Sequence, residues 1–273
     1  MLPSARKERV VVGAAVREIV TITDLTRMSG NQVCLAGCLP DGRCIRPLFR
    51  FGHPEEPWLY QGARAAIRPF AAVELRLIEQ PRNLAPPHIE DWHVDRAYRH
   101  RYDLDPIDRH ELLRDSAAPS LDGAFGAVIG GERGSWGRWV AAGAGVRSLT
   151  TVRARSVHEI AFGPSSRGKR EYRLGFADET GAPFRLMATD LAFRCRLDAL
   201  VDREGCSFAE ASRALLRRLM AAEVFLRVGL ARGWARHPER CYLQVNGIYS
   251  FPDYLGGRCF ADFIDDPGRD VPF

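Results

Sequence analysis

A chain of 273 residues, 46% of them hydrophobic, suffices for one large or two small domains with a proper core. Nearly all positive charge is arginine, since Lys7 and Lys169 are the only lysines; the net charge of +5 fits phosphate-bearing partners only weakly, because a GC-rich coding sequence gives the same bias. Seven cysteines without a CxxC pair exclude a secreted disulfide scaffold and point to a reducing cytoplasm, and no stretch reaches the ~20 apolar residues of a membrane span.

Basic residues precede the apolar run Val10 to Val16, but the run stops at Arg17, too short for a secretory signal. Residues 18–28, 32–38 and 43–48 read as three strands, separated by turns at Ser29-Gly30-Asn31 and Pro40-Asp41-Gly42. A Gly, Pro and Trp-rich loop follows, then a fourth strand over Phe70 to Gln80. Short strands at regular spacing fit a small barrel of about five strands, for which the oligonucleotide/oligosaccharide-binding (OB) fold is the natural candidate. Pro81 to Val94 is proline-rich and leads into a further strand or bridging segment. Asp95 to Ser120 is helix-compatible, with Pro106 at a first turn.

The glycine-dense stretch 126–147 is the expected linker, dividing a first OB-like half with a helical extension (1–125) from a second (148–273). In that second half, 148–162, 170–178 and 183–190 read as strands, and 189–203 as a helix. Ser207 and Glu210 form a capping box for the helix that follows, and that helix is expected to pack the two barrels together. The predicted fold class is therefore mainly β with α, two OB-like barrels packed with a few helices.

The C-terminal hairpin alternates strongly. Val224, Leu226, Val228 and Leu230 on one strand and Cys241, Leu243 and Val245 on the other form a core face. The opposite face carries Phe225, Arg227, Tyr242, Gln244, Asn246 and Ile248. Rings beside guanidinium and amide groups are what a stacking platform for nucleobases needs. A second layer packed over these side chains is the competing reading.

Gly163 to Lys169 satisfies most of GxxxxGK, but Arg170 replaces the Ser or Thr and a strand follows where a helix should begin, so it reads as a hairpin loop. His88-Ile89-Glu90-Asp91-Trp92-His93 is the densest cluster of ionisable groups. If extended, it places His88 and Glu90 on one side and Asp91 and His93 on the other, so the four do not converge on an ion. A structural role with Trp92 buried and the carboxylates capping or pairing with Arg competes with a metal-dependent hydrolase. Cys34, Cys38 and Cys44 match no zinc spacing. No cofactor or metal ligand set is expected.

Residues 25–48, 87–94, 185–194, 227–234 and 242–263, the last reading YLQVNGIYSFPDYLGGRCFADF, together resemble the bacterial dual OB-containing domain family. The resemblance implies two OB-type barrels in proteins associated with genome conflict and defence, with nucleic-acid recognition as the role and no established catalysis. The motif residues would be Arg27, Asp91, Trp92, Asp190, Arg232, Asn246, Gly247, Pro252, Asp253 and Tyr254.

The expected function is a cytoplasmic nucleic-acid-binding module that targets a partner effector. DNA or RNA would stack on Phe225, Tyr242 and Tyr249, although the parity of Tyr249 falls with the core face. Gln244 and Asn246 would reach base edges, and Arg46, Arg227 and Arg232 phosphates. A hydrolase centred on the HIEDWH segment, and a protein-binding scaffold using the arginine-rich helix and the hairpin, are the alternatives.

Overall fold

The computed structural model describes residues 15–50 and 52–264, and most of the apolar run ahead of Arg17 lies outside them. Strands β1 (Val16–Arg27), β2 (Val33–Cys38) and β3 (Cys44–Phe49) form the expected meander. Gly37 lets its first two strands approach closely, because a Cβ there would sit 2.3 Å from the Thr21 carbonyl oxygen. A 3-10 turn at Glu56–Leu59 and a two-residue hairpin, β4 (Tyr60–Gln61) and β5 (Arg64–Ala65), lead into β6 (Ala71–Glu79) and β7 (Asp91–Asp103). The barrel closes in the order β1-β2-β3-β7-β6, with β3 and β7 parallel. Its interior holds Val20, Ile22, Leu35, Ile45, Val73 and Leu75.

Residues 95–103 were helix-compatible by sequence but form the second half of β7. Pairing along β6 from Leu77↔Val94 to Ala71↔Asp103 supplies the partner that decides the conformation, as tertiary context commonly does for strands. Helix α1 (Pro106–Ser116) starts only after Asp105, whose carboxylate accepts from the amides of Ile107 and Asp108 at 2.8 and 2.9 Å. The strand β8 (Ala117–Ala118) and the short helix α2 (Leu121–Phe125) follow. The glycine-dense stretch is not structureless: it contains β9 (Trp139–Ala141), which pairs with the last strand of the fold.

The second barrel is built from β10 (Leu149–Pro164), β11 (Arg170–Asp178), β12 (Pro183–Ala188), β13 (Glu223–Leu230) and β14 (Arg240–Phe251). Between the third and fourth of these lie α3 (Leu191–Asp202) and α4 (Phe208–Met220), the latter opened by the Ser207–Glu210 capping box. These five strands close in the order β10-β11-β12-β14-β13, with β12 and β14 parallel. Both barrels thus share one strand order, that of two OB-like barrels in an α+β fold. The GxxxxGK stretch is the β10–β11 turn, where the Ser165 amide donates to the Lys169 carbonyl at 2.7 Å.

The expectation that α4 packs the barrels together is corrected by its contacts. Helix α4 lies on β10 and α3 of its own barrel, and the barrels meet through β1, β14 and α3. A separate small core of Phe70, Leu113, Phe225 and Tyr249 fills the junction. Among the described residues no helix is long and apolar enough to cross a membrane.

Candidate functional site

The face opposite the hairpin core is not bare. Every residue of β13 after Glu223 is buried, because Val224, Leu226, Val228 and Leu230 enter the second barrel's core and the other side meets the first barrel. Phe225 packs edge-on to His110 of α1, with ring centroids 5.6 Å apart. Tyr249 lies 4.6 Å from the Phe70 ring and donates to the Thr23 carbonyl at 2.7 Å. Arg227 is 1% exposed, bonded to Asp24 at 2.9 Å and to the Thr151 hydroxyl at 2.9 Å. Ile248 is buried as well. The stacking and phosphate roles expected of Phe225, Tyr249 and Arg227 therefore fail for lack of access: the competing reading of a covered face holds, with α1 and the first barrel as the cover. The scaffold reading loses the β13 side of its hairpin for the same reason.

Arg46 is also withdrawn from solvent. Its guanidinium reaches His88 Nδ1 at 3.0 Å and Asp91 at 3.2 Å within the first half, and the Ser148 hydroxyl at 2.9 Å across to the second. Asn246 sits at a bulge between β13 and β14; its Oδ1 accepts from Thr189 Oγ1 at 3.1 Å. Its amide lies directly over Gly229, where a Cβ would come within 2.2 Å of Nδ2. Arg46 is thus not placed to reach a ligand as expected, and the Asn246 side-chain oxygen is already engaged.

The HIEDWH segment joins the two barrels. Glu90 accepts from the amides of Ser148 and Leu149 and from the Ser148 hydroxyl, at 2.6, 3.2 and 2.8 Å, while Asp91 binds both Arg46 and Arg232. Residues 89–90 form a turn rather than a strand, so His88 swings to the side of Asp91 and His93. Those three, with His53, Leu48, Arg232 and Cys241, line a cleft of about 500 Å³. Glu90 and Trp92, the latter half-buried rather than buried, line a separate cleft of about 490 Å³. Burial, reinforced by Arg46 and Arg232, pulls the His88 imidazole down to about 3. Arg46 donates to its Nδ1, which leaves the proton on Nε2. No group of three or more His, Cys, Asp or Glu among the described residues is arranged to hold a metal ion.

A different surface of the second barrel is open. Register pairs Arg173 with Met187 and Met187 with Gln244, so the three form one row across β11, β12 and β14. Met187 is 38% exposed and Gln244 half-buried. Two residues along β14, Tyr242 extends the same face and pairs with Trp139. Arg185, two residues before Met187, is held by both oxygens of Glu159 at 2.6 and 2.7 Å. Trp136, from the glycine-dense stretch, lies against both cations, 3.9 Å from the Arg185 guanidinium and 4.8 Å from that of Arg173. The β13–β14 connection adds exposed Arg232, Trp234 and Arg236, with the last cation 5.7 Å from the indole. The β10–β11 turn adds exposed Arg167 and Lys169.

Of the residues expected by sequence, Tyr242 and Gln244 thus share an accessible face, while Arg232 is exposed on the neighbouring β13–β14 connection and paired with Asp91. Arg173, Arg185, Met187, Trp136 and Trp234 were missed. The signal for the first three was present as alternation in β11 and β12, whereas the placement of Trp136 depends on how a glycine-rich segment folds back.

Strand order and surface together define a protein with two OB-like barrels and one open sheet face. No protein-family model matches the chain, and no curated protein matches it significantly.

Proposed function

We propose that the chain is a nucleic-acid-binding module whose recognition surface is the β11–β12–β14 face of the second barrel. The observation that carries this reading is an asymmetry between two barrels of one topology. In the first, the paired residues Arg46 and Asp91 on β3 and β7 are buried against the second barrel. In the second, the corresponding pair, Met187 and Gln244 on β12 and β14, faces outward. In OB folds the face of strands 2 and 3 and the flanking loops L12 and L45 are where oligonucleotides lie. Here that face carries Arg173 and Arg185, which would exchange their Glu171 and Glu159 partners for phosphates. It continues onto β14 with Tyr242 for base stacking and Gln244 for base edges, with Trp136 beside it as a second ring. The flanking loops carry Arg167, Lys169, Arg232, Trp234 and Arg236. On this reading the chain recognises a nucleic acid on behalf of a partner effector, as the resemblance to dual OB-containing proteins of bacterial defence implies.

Fluorescence anisotropy with short single-stranded DNA and RNA tests it. Binding should weaken with salt, with a log–log slope on the order of −3 for four or so phosphate contacts at about 0.7 each. Tyr242→Ala should lose about 1–3 kcal/mol if the ring stacks on a base. Affinity no higher than that of an unrelated protein of the same net charge would refute the reading.

A further inference from the structure

Strands β2 and β3 bring two cysteines face to face. Cys38 and Cys44 are cross-strand partners with their sulfurs 3.7 Å apart. The Leu39 amide donates to the Arg43 carbonyl at 2.9 Å. The adjoining pair is therefore hydrogen-bonded and Cys38–Cys44 is of the non-hydrogen-bonded type, where Cα atoms approach to about 4.5 Å. Disulfides span Cα separations of about 4.4–6.8 Å, a range that includes pairs of this type.

The two sulfurs differ in surroundings. Cys38 is 3% exposed, whereas Cys44 is half-buried and lines the cleft shared by Glu90, Trp92, Arg43 and Arg147. On its inner side Cys44 meets the buried Arg227, whose Nη2 donates to Sγ at 3.7 Å and whose partner is Asp24. The hydrogen bond from Cys38 and the Arg227 guanidinium favour the Cys44 thiolate, against burial and Asp24. The bond to Cys44 and burial keep Cys38 a thiol.

We propose that Cys38 and Cys44 form a peroxide-reactive dithiol, with Cys44 as the attacking sulfur and Cys38 as the resolving one. In the first step the Cys44 thiolate displaces hydroxide from hydrogen peroxide: an S–O bond forms, the O–O bond breaks, and the hydroxide takes up a proton as water. In the second the Cys38 sulfur attacks the sulfenic acid: an S–S bond forms, the S–O bond breaks, and the departing oxygen leaves as a second water carrying the Cys38 proton. The dithiol loses two electrons and the peroxide gains them. Nothing in this chemistry depends on whether the chain binds nucleic acid.

The test is a peptide map of the reduced full chain after one equivalent of hydrogen peroxide. Trypsin cuts after Arg27 and Arg43, so a Cys38–Cys44 bond joins the peptide from Met28 to Arg43 to the one beginning at Cys44. That linked pair should be the main product, reversed by dithiothreitol. Cys34 lies in the first of those peptides, so Cys34→Ser should leave the link intact. Cys38→Ser should instead trap a dimedone-reactive sulfenic acid at Cys44. Cys44→Ser should slow thiol loss by about tenfold or more, as expected when the activated thiolate is removed. Links between other cysteines, or no thiol loss at all in the wild-type chain, would overturn the proposal. Fragment-ion sequencing of the linked wild-type peptides separates Cys34 from Cys38 and decides this even if a variant fails to fold.

Discussion

Arg227 is the largest side chain in the fully buried set, and its charge is answered by Asp24 across the junction of the barrels. One carboxylate oxygen of Asp24 has no partner of its own, so the pair is sensitive to loss of the arginine. Arg227→Met should cost about 3–5 kcal/mol in urea unfolding, because it strands a buried anion. Adding Asp24→Leu should restore much of that loss; a double variant no better than the single one would contradict the pairing. His88 gives a second residue-level test. Its imidazole stays neutral in the fold down to about pH 3 but takes up a proton near pH 6.5 when unfolded. The unfolded chain thus binds more protons in that window. Stability is complete above about pH 6.5 and falls with acidification. His88→Asn keeps an acceptor for Arg46 and cannot titrate, so it should flatten the fall in midpoint temperature between about pH 6.5 and 4. Asp190, which burial raises to about 6, contributes with the opposite sign, but it does so in both proteins and cancels in the comparison.

At the scale of elements, α1 is what closes the hairpin's outer face. Asp105 caps it, and Leu113 packs with Phe225. Asp105→Ala should lose about 1 kcal/mol and raise amide exchange in α1 and around Phe225; unaltered exchange there would show that the cap does not hold this cover. Much of the element order was legible. Alternation marked β1, β2, β3, β6, β11 and β12, and Ser207 with Glu210 marked the start of α4, because these signals are local. Whether Phe225 and Arg227 meet water was not legible; both are buried. Alternation says that two faces differ, but only tertiary packing says whether the polar one meets water or another barrel. Arg227 illustrates this, since an arginine among apolar neighbours reads as a surface residue until Asp24, 203 positions away, is brought to it. For the HIEDWH segment, an extended backbone was the wrong premise, and the turn at 89–90 regrouped its side chains between two clefts.

For the whole molecule, two barrels of equal strand order are put to unequal use. The first gives up its β3–β7 face to the junction, through Arg46, Asp91 and the Glu90 carboxylate over Ser148. The second keeps the equivalent face open and lays Trp136 beside it. Trp136→Ala should therefore weaken oligonucleotide binding while leaving thermal stability within about 1 kcal/mol, a pairing that anisotropy and calorimetry can check together. The most direct measurement is ultraviolet cross-linking of the full chain to a short single strand, followed by peptide mapping. Cross-links at Tyr242, Trp136 or Trp234 are the predicted result. Efficient cross-linking confined to the first barrel, with none on these three rings, would contradict the account.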